Sequence, residues 1–440
     1  MPRRAALALA LAPLALGGCS LFDDWFGEEK TPLPGKRLPV LGDAKALQID
    51  NPPSRPVALP PARSNPAWPQ AGGVPSHSMG HLQAAGTLQQ AWRSGIGEPG
   101  GYRSKIMSTP VVADGRVVTM DSDGMVSAFD LRNGARLWRT DTQGDKDRST
   151  NIGGGVAIDG NRVFAATGRA DLLAIDASSG KILWRSRLPA GARSAPTVAD
   201  SRLFVPTSDD QLLAYATQDG KQLWSYQATA TDSQMLGMPA PAYDSGLVVA
   251  GFGSGDLIAL HAEGGAVAWA DNLGASRGRT SLIDLSSITA MPVIDNGQVF
   301  ATGLSGLTVS IDLRSGRRLW ERDVGAARMP WLAGDWLFLV STENDLLALH
   351  RNDGLAAWLT PLPRYKNVEK KRDPIVWEGP TLVSERLILA SNADRAVSVS
   401  PYTGKIIGRQ ELPATAPVPP VVAAGTVLVV TDDASLLAFR

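Results

Sequence analysis

From about residue 83 onward the chain is a succession of short runs in which apolar and polar residues alternate or β-branched residues dominate. Turn pairs of the Asp-Gly and Asn-Gly kind separate them. Successive side chains of a strand point to opposite faces, so this alternation predicts strands, and no stretch shows the 3.6-residue helical period. One copy of the unit reads Pro110-Val111-Val112, then Arg116-Val117-Val118-Thr119-Met120, then Met125-Val126-Ser127-Ala128-Phe129-Asp130, then Gly134-Ala135-Arg136-Leu137-Trp138. The spacing Ala-x-Asp-x-x-x-Gly-x-x-x-Trp returns at Ala174, Asp176, Gly180 and Trp184, and with Ser in first place at Ser310, Asp312, Gly316 and Trp320. Looser copies end at Trp224 with Ala216 in the Asp place, at Trp269 with His261, and at Trp358 with His350. A degenerate copy runs from Pro380 through Ser398 and Gly404 to Gly408 without the Trp.

Four strands recurring at about 40 to 50 residues are the signature of a propeller blade. The motif has a physical reading. Asp at the end of the third strand accepts turn N–H groups, Gly supplies the positive φ before the fourth strand, and the Trp packs in the seam between neighbouring blades. Trp92, Trp138, Trp184, Trp224, Trp269, Trp320 and Trp358 are therefore predicted to dock blade on blade. The last copy, Pro420 to Phe439, has three strands, and the missing fourth stands at the other end as Leu88-Gln89-Gln90-Ala91-Trp92. Seven internal copies and one split copy predict an all-β, eight-bladed propeller of four-stranded antiparallel blades, closed by an N-terminal strand; seven blades is the alternative count.

Before the repeats the composition changes. Arg3 and Arg4 precede an apolar stretch from Ala5 to Leu16, too short for the roughly 20 residues that span a bilayer. Leu16-Gly17-Gly18-Cys19 follows, which resembles the lipobox of bacterial lipoproteins. The expected organisation is a signal peptide over 1–18, a lipidated and proline-rich extended linker over 19–82, and the propeller over 83–440. Cys19, the only cysteine, is the expected lipidation site, and the absence of Asp after it favours outer-membrane over inner-membrane sorting. The linker is read as poorly packed, with Leu38-Pro39-Val40-Leu41 and Trp68-Pro69 as apolar patches able to dock on the domain or a partner.

Charge and candidate chemistry narrow the function. Forty-three basic residues balance forty-three acidic ones, which removes the field that nucleic-acid binding requires. His77, His81, His261 and His350 lack metal-ligand spacing and read as structural. Gly153-Gly154-Gly155 is not followed by Gly-Lys-Ser/Thr, so it reads as close backbone approach near the ring axis and not as a phosphate loop. No catalytic residue, metal or cofactor is expected. The basic stretch 365–373, with Lys366, Lys370, Lys371 and Arg372, reads first as a solvated loop and alternatively as a contact for an acidic surface or lipid headgroups. Two irregular inter-blade loops carry apolar residues without structural need: 228–238 with Met235 and Leu236, and 270–290 with Arg277, Arg279, Leu282, Ile283, Asp284 and Leu285. They are the candidate partner contacts.

The repeat resembles that of pyrroloquinoline-quinone-type propellers. Together with the lipobox and eight blades it resembles the BamB family of outer-membrane protein assembly lipoproteins, most closely in Ser286 to Val293 leading to Ile311 to Gly316. The resemblance implies a non-enzymatic scaffold, lipid-anchored at the outer membrane and facing the periplasm. It implies as partners the POTRA domains of the insertase BamA and nascent β-barrels. It places the BamA contact at Met235-Leu236-Gly237, where the family has Leu-Arg-Gly, and at Ser287 and Thr289, where the family has two aspartates; the chain departs from the pattern at those charged positions. The competing classes are a quinone-dependent dehydrogenase on the same fold and a peptide- or sugar-binding propeller lipoprotein.

Overall fold

The computed structural model describes residues 47, 49, 55–102, 104–144, 150–231, 239–274 and 287–440. They form eight four-stranded antiparallel sheets and one two-stranded hairpin, with no helix among them. Seven sheets are built from consecutive strands. The eighth takes strands Val421–Ala423, Thr426–Thr431 and Ser435–Phe439 from one end of the repeat array and Gln90–Gly95 from the other, with Trp92 opposite Ala438. The split blade and the count of eight are as the repeat predicts.

In each blade the first strand lies innermost, and first strands of successive blades touch, as Val111–Ala113 does Gly154–Asp159 and Ala242–Asp244 does Val293–Asp295. The core is accordingly a series of seams. In one, Val111, Val118, Ala128 and Trp138 of the first blade meet Val156, Val163 and Ile175 of the second. All seven predicted tryptophans reach across a seam, and each indole N–H donates to a carbonyl in the turn after the third strand of the next blade. The acceptors are Leu131, Ala177, Thr217, Ala262, Leu313, Arg351 and Pro401, at 2.6 to 3.2 Å. The glycine of that turn is required twice over. Gly316 has φ +71°, and a Cβ there would stand 2.6 Å from the Trp269 ring. The Asp of the motif holds the same turn: Asp312 Oδ1 accepts the Ser315 N–H at 2.8 Å, and the Ser315 hydroxyl keeps this carboxyl below its usual range. At the axis, a Cβ on Gly154 would fall 2.2 Å from the Ala166 carbonyl oxygen, which agrees with close backbone approach.

The proline-rich stretch differs from expectation. Over 55–82 it is extended, but it is not poorly packed: Val57, Trp68, Met79 and Leu82 are buried in the same core as the sixth, seventh and split blades. It runs round the ring as a belt that meets the end of every innermost strand in turn. The Ala424 N–H donates to Asn65 O, and Trp68 exchanges both backbone hydrogen bonds with Val112. Pro69 O accepts from Ile158, Gln70 Oε1 from Val198, Pro75 O from Tyr243 and Ser76 O from Ile294. The Trp331 indole donates to Gly80 O, and Leu82 O accepts from Ser384. Eight blades are thus touched by eighteen residues, 65–82. A stiff, proline-rich backbone suits this, since it surrenders little conformational freedom on docking and offers carbonyls to strand ends whose N–H groups have no ladder partner. Trp68 also stacks on Trp331, centroids 6.1 Å apart.

The belt histidines are structural, as read. His81 Nδ1 donates to Pro60 O and its Nε2 accepts the Glu385 N–H. His77 is buried, with Nδ1 donating to Pro292 O at 2.7 Å and Nε2 enclosed without a partner among the described residues. Burial holds its pKa down at about 4, against 6.5 for a free imidazole. The unfolded chain therefore binds this proton more readily, so the contribution is complete above pH 6.5 and is lost as pH falls towards 4. It amounts to about 3 kcal/mol at most. Urea midpoints measured across that window should fall more steeply for the wild type than for His77→Gln; equal slopes would exclude His77 as the acid-sensitive group.

Candidate functional site

First and third strands run towards the belt, second and fourth strands away from it. The belt therefore covers the face of the 1–2 and 3–4 turns, while the 2–3 turns and the described inter-blade connections lie on the opposite, loop face. The described strands on either side of the candidate partner loops, Gln222–Gln227 and Ala242–Asp244 for the first and Val267–Asn272 and Val293–Asp295 for the second, end and begin on this free face. Met235, Leu236, Gly237, Arg277, Arg279, Asp284 and Leu285 lie outside the described residues. Ser287 is buried, its carbonyl accepting the Leu304 N–H at 3.1 Å. Thr289 is half-buried, donates from its hydroxyl to Ala327 O at 3.2 Å and stands at the central funnel. The basic stretch is a hairpin of Tyr365–Asn367 and Arg372–Pro374 on the same face, with Lys366, Lys370 and Lys371 in solvent and Val368 74 % exposed at its tip.

The funnel on the ring axis has a volume of about 230 Å³ and a floor made by Trp68, Ala71 and Gly72 of the belt. Its wall follows from a repeat feature that the strand pattern did not expose: the residue before a proline at the start of the innermost strand. Thr109, Ala195, Ala240, Met291, Met329, Gly379 and Pro419 each precede a proline and each line the funnel. Proline holds its predecessor in an extended conformation, which brings Thr109, Ala195, Ala240, Met291, Met329 and Pro419 to the funnel at the same place in six blades, while in the seventh Gly379, at φ +118°, lines it with backbone alone. The X-Pro spacing was the available signal for this site.

Chemically the wall is mostly apolar, with the thioethers of Met107, Met291 and Met329, the hydroxyls of Ser108 and Ser194, and one buried ion pair. Arg328 grips Glu378 through Nε and one terminal nitrogen at 2.6 and 2.5 Å. Burial pushes the Glu378 carboxyl up and Arg328 opposes it, while Glu378 raises the guanidinium. Among the described residues no histidine or cysteine lines the funnel, and the Ser108 and Ser194 hydroxyls are turned to the adjacent Thr109 and Ala195 carbonyls. Hence no general base stands beside a nucleophile among the described lining residues. Glu378 is the only carboxylate among the described residues of the wall, and it is committed to Arg328. Among the described residues no group of three or more His, Cys, Asp or Glu is placed to hold a metal ion. The described residues of the funnel do not fit a metal-assisted quinone cofactor.

Tryptophan-docked seams, a split closing blade and a funnel walled by methionine and proline define an eight-bladed propeller of the quinoprotein-like repeat class. The family model described as outer membrane protein assembly factor BamB matches residues 87–151 and 122–360. The chain belongs to the outer membrane protein assembly factor BamB family. An outer membrane protein assembly factor BamB from Yersinia pestis is 26 % identical over 302 residues, covering 67 % of this chain and 76 % of that protein. The crystal structure of BamB from Moraxella catarrhalis superposes with a TM-score of 0.68 at 20 % identity, covering 80 % of this chain and all of that one. Quinohemoprotein alcohol dehydrogenase from Comamonas testosteroni shares the fold at a TM-score of 0.64 and 15 % identity, covering 86 % and 81 % of the two chains.

Proposed function

We propose that this chain is a non-catalytic scaffold of outer-membrane β-barrel assembly. It is anchored through an acylated Cys19 at the outer membrane, faces the periplasm and binds the POTRA domains of BamA through inter-blade loops 228–238 and 270–290. The observation that carries the reading is the family match over most of the repeat array. The architecture supports it: the belt occupies one face, so the loop face is the one offered to a partner, and among the described residues the funnel wall presents no nucleophile with a base beside it. Scaffolding of this kind needs a rigid platform and adaptable loops, which a closed ring with inter-blade connections provides.

The test is affinity purification of the lipidated protein from detergent-solubilised outer membranes, beside a Leu236→Asp/Leu285→Asp variant. Wild type should recover a large barrel protein with POTRA repeats. The variant should lose at least about tenfold of it, because charging the centre of an interface costs about 2 kcal/mol or more. Undiminished recovery would exclude these loops. Absence of any such partner, with uptake of a quinone and Ca²⁺ by the purified protein, would replace the scaffold reading with the dehydrogenase class.

A further inference from the structure

Seven of the eight seams are filled by an indole from the preceding blade; the seam between the seventh blade and the split blade is not. Strand register identifies the vacant position. In seven blades the tryptophan of the fourth strand stands opposite a small residue of the third, as Trp358 opposite Ala348 and Trp320 opposite Ser310, with the same bulge next to it. In the seventh blade Gly408 stands opposite Ser398, beside the equivalent bulge. A second substitution widens the gap. Where Phe164, Phe204, Phe300 and Phe338 lean on the tryptophan of their own blades, the seventh blade has Ile388.

The other wall of the seam also differs. The split blade has no 3–4 hairpin, because its fourth strand arrives from the belt; Gln89 and Arg440 exchange both backbone hydrogen bonds at 2.7 and 2.9 Å in its place. Gly86, Thr87 and Leu88 therefore face the vacancy instead of a glycine turn. What remains is a pocket of about 300 Å³ on the outer rim, with Leu88, Ile388, Leu412, Val427, Val429 and Phe439 as its apolar wall. The volume exceeds that of an indole ring, and a Cβ built on Gly408 would meet nothing closer than 3.5 Å. Arg409 and Arg386 stand at the rim. Arg386 is fixed there by donating to the carbonyls of Gly86 and Ala85, and Arg409 is exposed. An apolar cavity of this size lined by aliphatic side chains binds aromatic rings, and a cationic rim favours an anionic group next to the ring.

We propose that this seam is a binding pocket for an aromatic side chain, tryptophan above all, presented by an extended partner segment with an acidic residue beside it. The occupant supplies from outside what the other seven seams hold from within. The probe is the capped peptide acetyl-Glu-Trp-Gly-amide, titrated into the mature protein with methyl resonances of Ile388, Leu88 and Val427 observed. Saturable shifts at these methyls are expected, absent with the Trp→Ala peptide and weakened by Arg409→Glu. Gly408→Trp should fill the pocket internally, raise the melting temperature and weaken the peptide by at least about tenfold. Should that variant fail to fold, Ile388→Phe narrows the pocket from the other strand, as in four other blades, and should weaken binding likewise. Absence of saturable shifts in the wild type, or equal affinity in the filled variants, overturns the proposal.

Discussion

Replacing Trp320 by alanine is expected to lower the unfolding free energy by about 3–5 kcal/mol, the usual cost of truncating a buried large aromatic residue. The side chain is 7 % exposed, packs with Phe300 at 6.2 Å and donates to Arg351 O at 2.6 Å across the seam. Its loss opens a cavity between the fifth and sixth blades and leaves a turn carbonyl without its donor. Trp320→Phe keeps most of the ring and should cost about 1 kcal/mol for the missing hydrogen bond. Trp184→Ala should cost less than Trp320→Ala, because Trp184 is only partly buried and its hydrogen bond is 3.2 Å long. Urea unfolding followed by near-ultraviolet circular dichroism orders the three; equal losses at Trp184 and Trp320 would refute the seam as the source of the stability.

The second large effect concerns the belt. Asn65→Pro/Trp68→Ala, or removal of residues 55–82, should expose the innermost strand ends all round the ring. The amides of Val112, Ile158, Tyr243, Ile294, Ser384 and Ala424 donate to belt carbonyls, so their hydrogen-exchange protection should collapse together. Amides of the 2–3 turns on the loop face, such as Gly255, which donates to Phe252 O, should be unchanged. Trp68→Ala alone is expected to cost about 3–5 kcal/mol, since Trp68 stacks on Trp331 and floors the funnel. Uniform loss of protection on both faces would mean general destabilisation and would sink the belt's assigned role.

The two experiments divide what local pattern encodes from what it does not. Trp138, Trp184 and Trp320 were legible because each sits at a constant offset from an Asp and a Gly in its own repeat, and a strand–turn–strand unit is specified by neighbours within a dozen residues. Loops 228–238 and 270–290 stand out in the sequence as apolar interruptions of that pattern, but periodicity within one chain holds no information about a partner surface, so it could not assign a contact to Met235, Leu236, Arg277 or Leu285. The funnel pair Arg328 and Glu378 was not legible, because the two residues are 50 positions apart in consecutive blades and carry no common motif.

By itself, the order of residues determined the strands, the blade count, the seam tryptophans and the splitting of the closing blade, for these depend on periods and turn chemistry that repeat within each unit. Tertiary structure decided the rest. Proline-rich composition at 55–82 is equally suited to a solvated spacer, and it becomes a belt only because ring closure brings eight strand ends, each with an unpaired N–H or a bare apolar side chain, into one circle of the right size. Gly408 is an unremarkable residue in a strand until the neighbouring blade lies against it, and only then does the missing indole become a pocket.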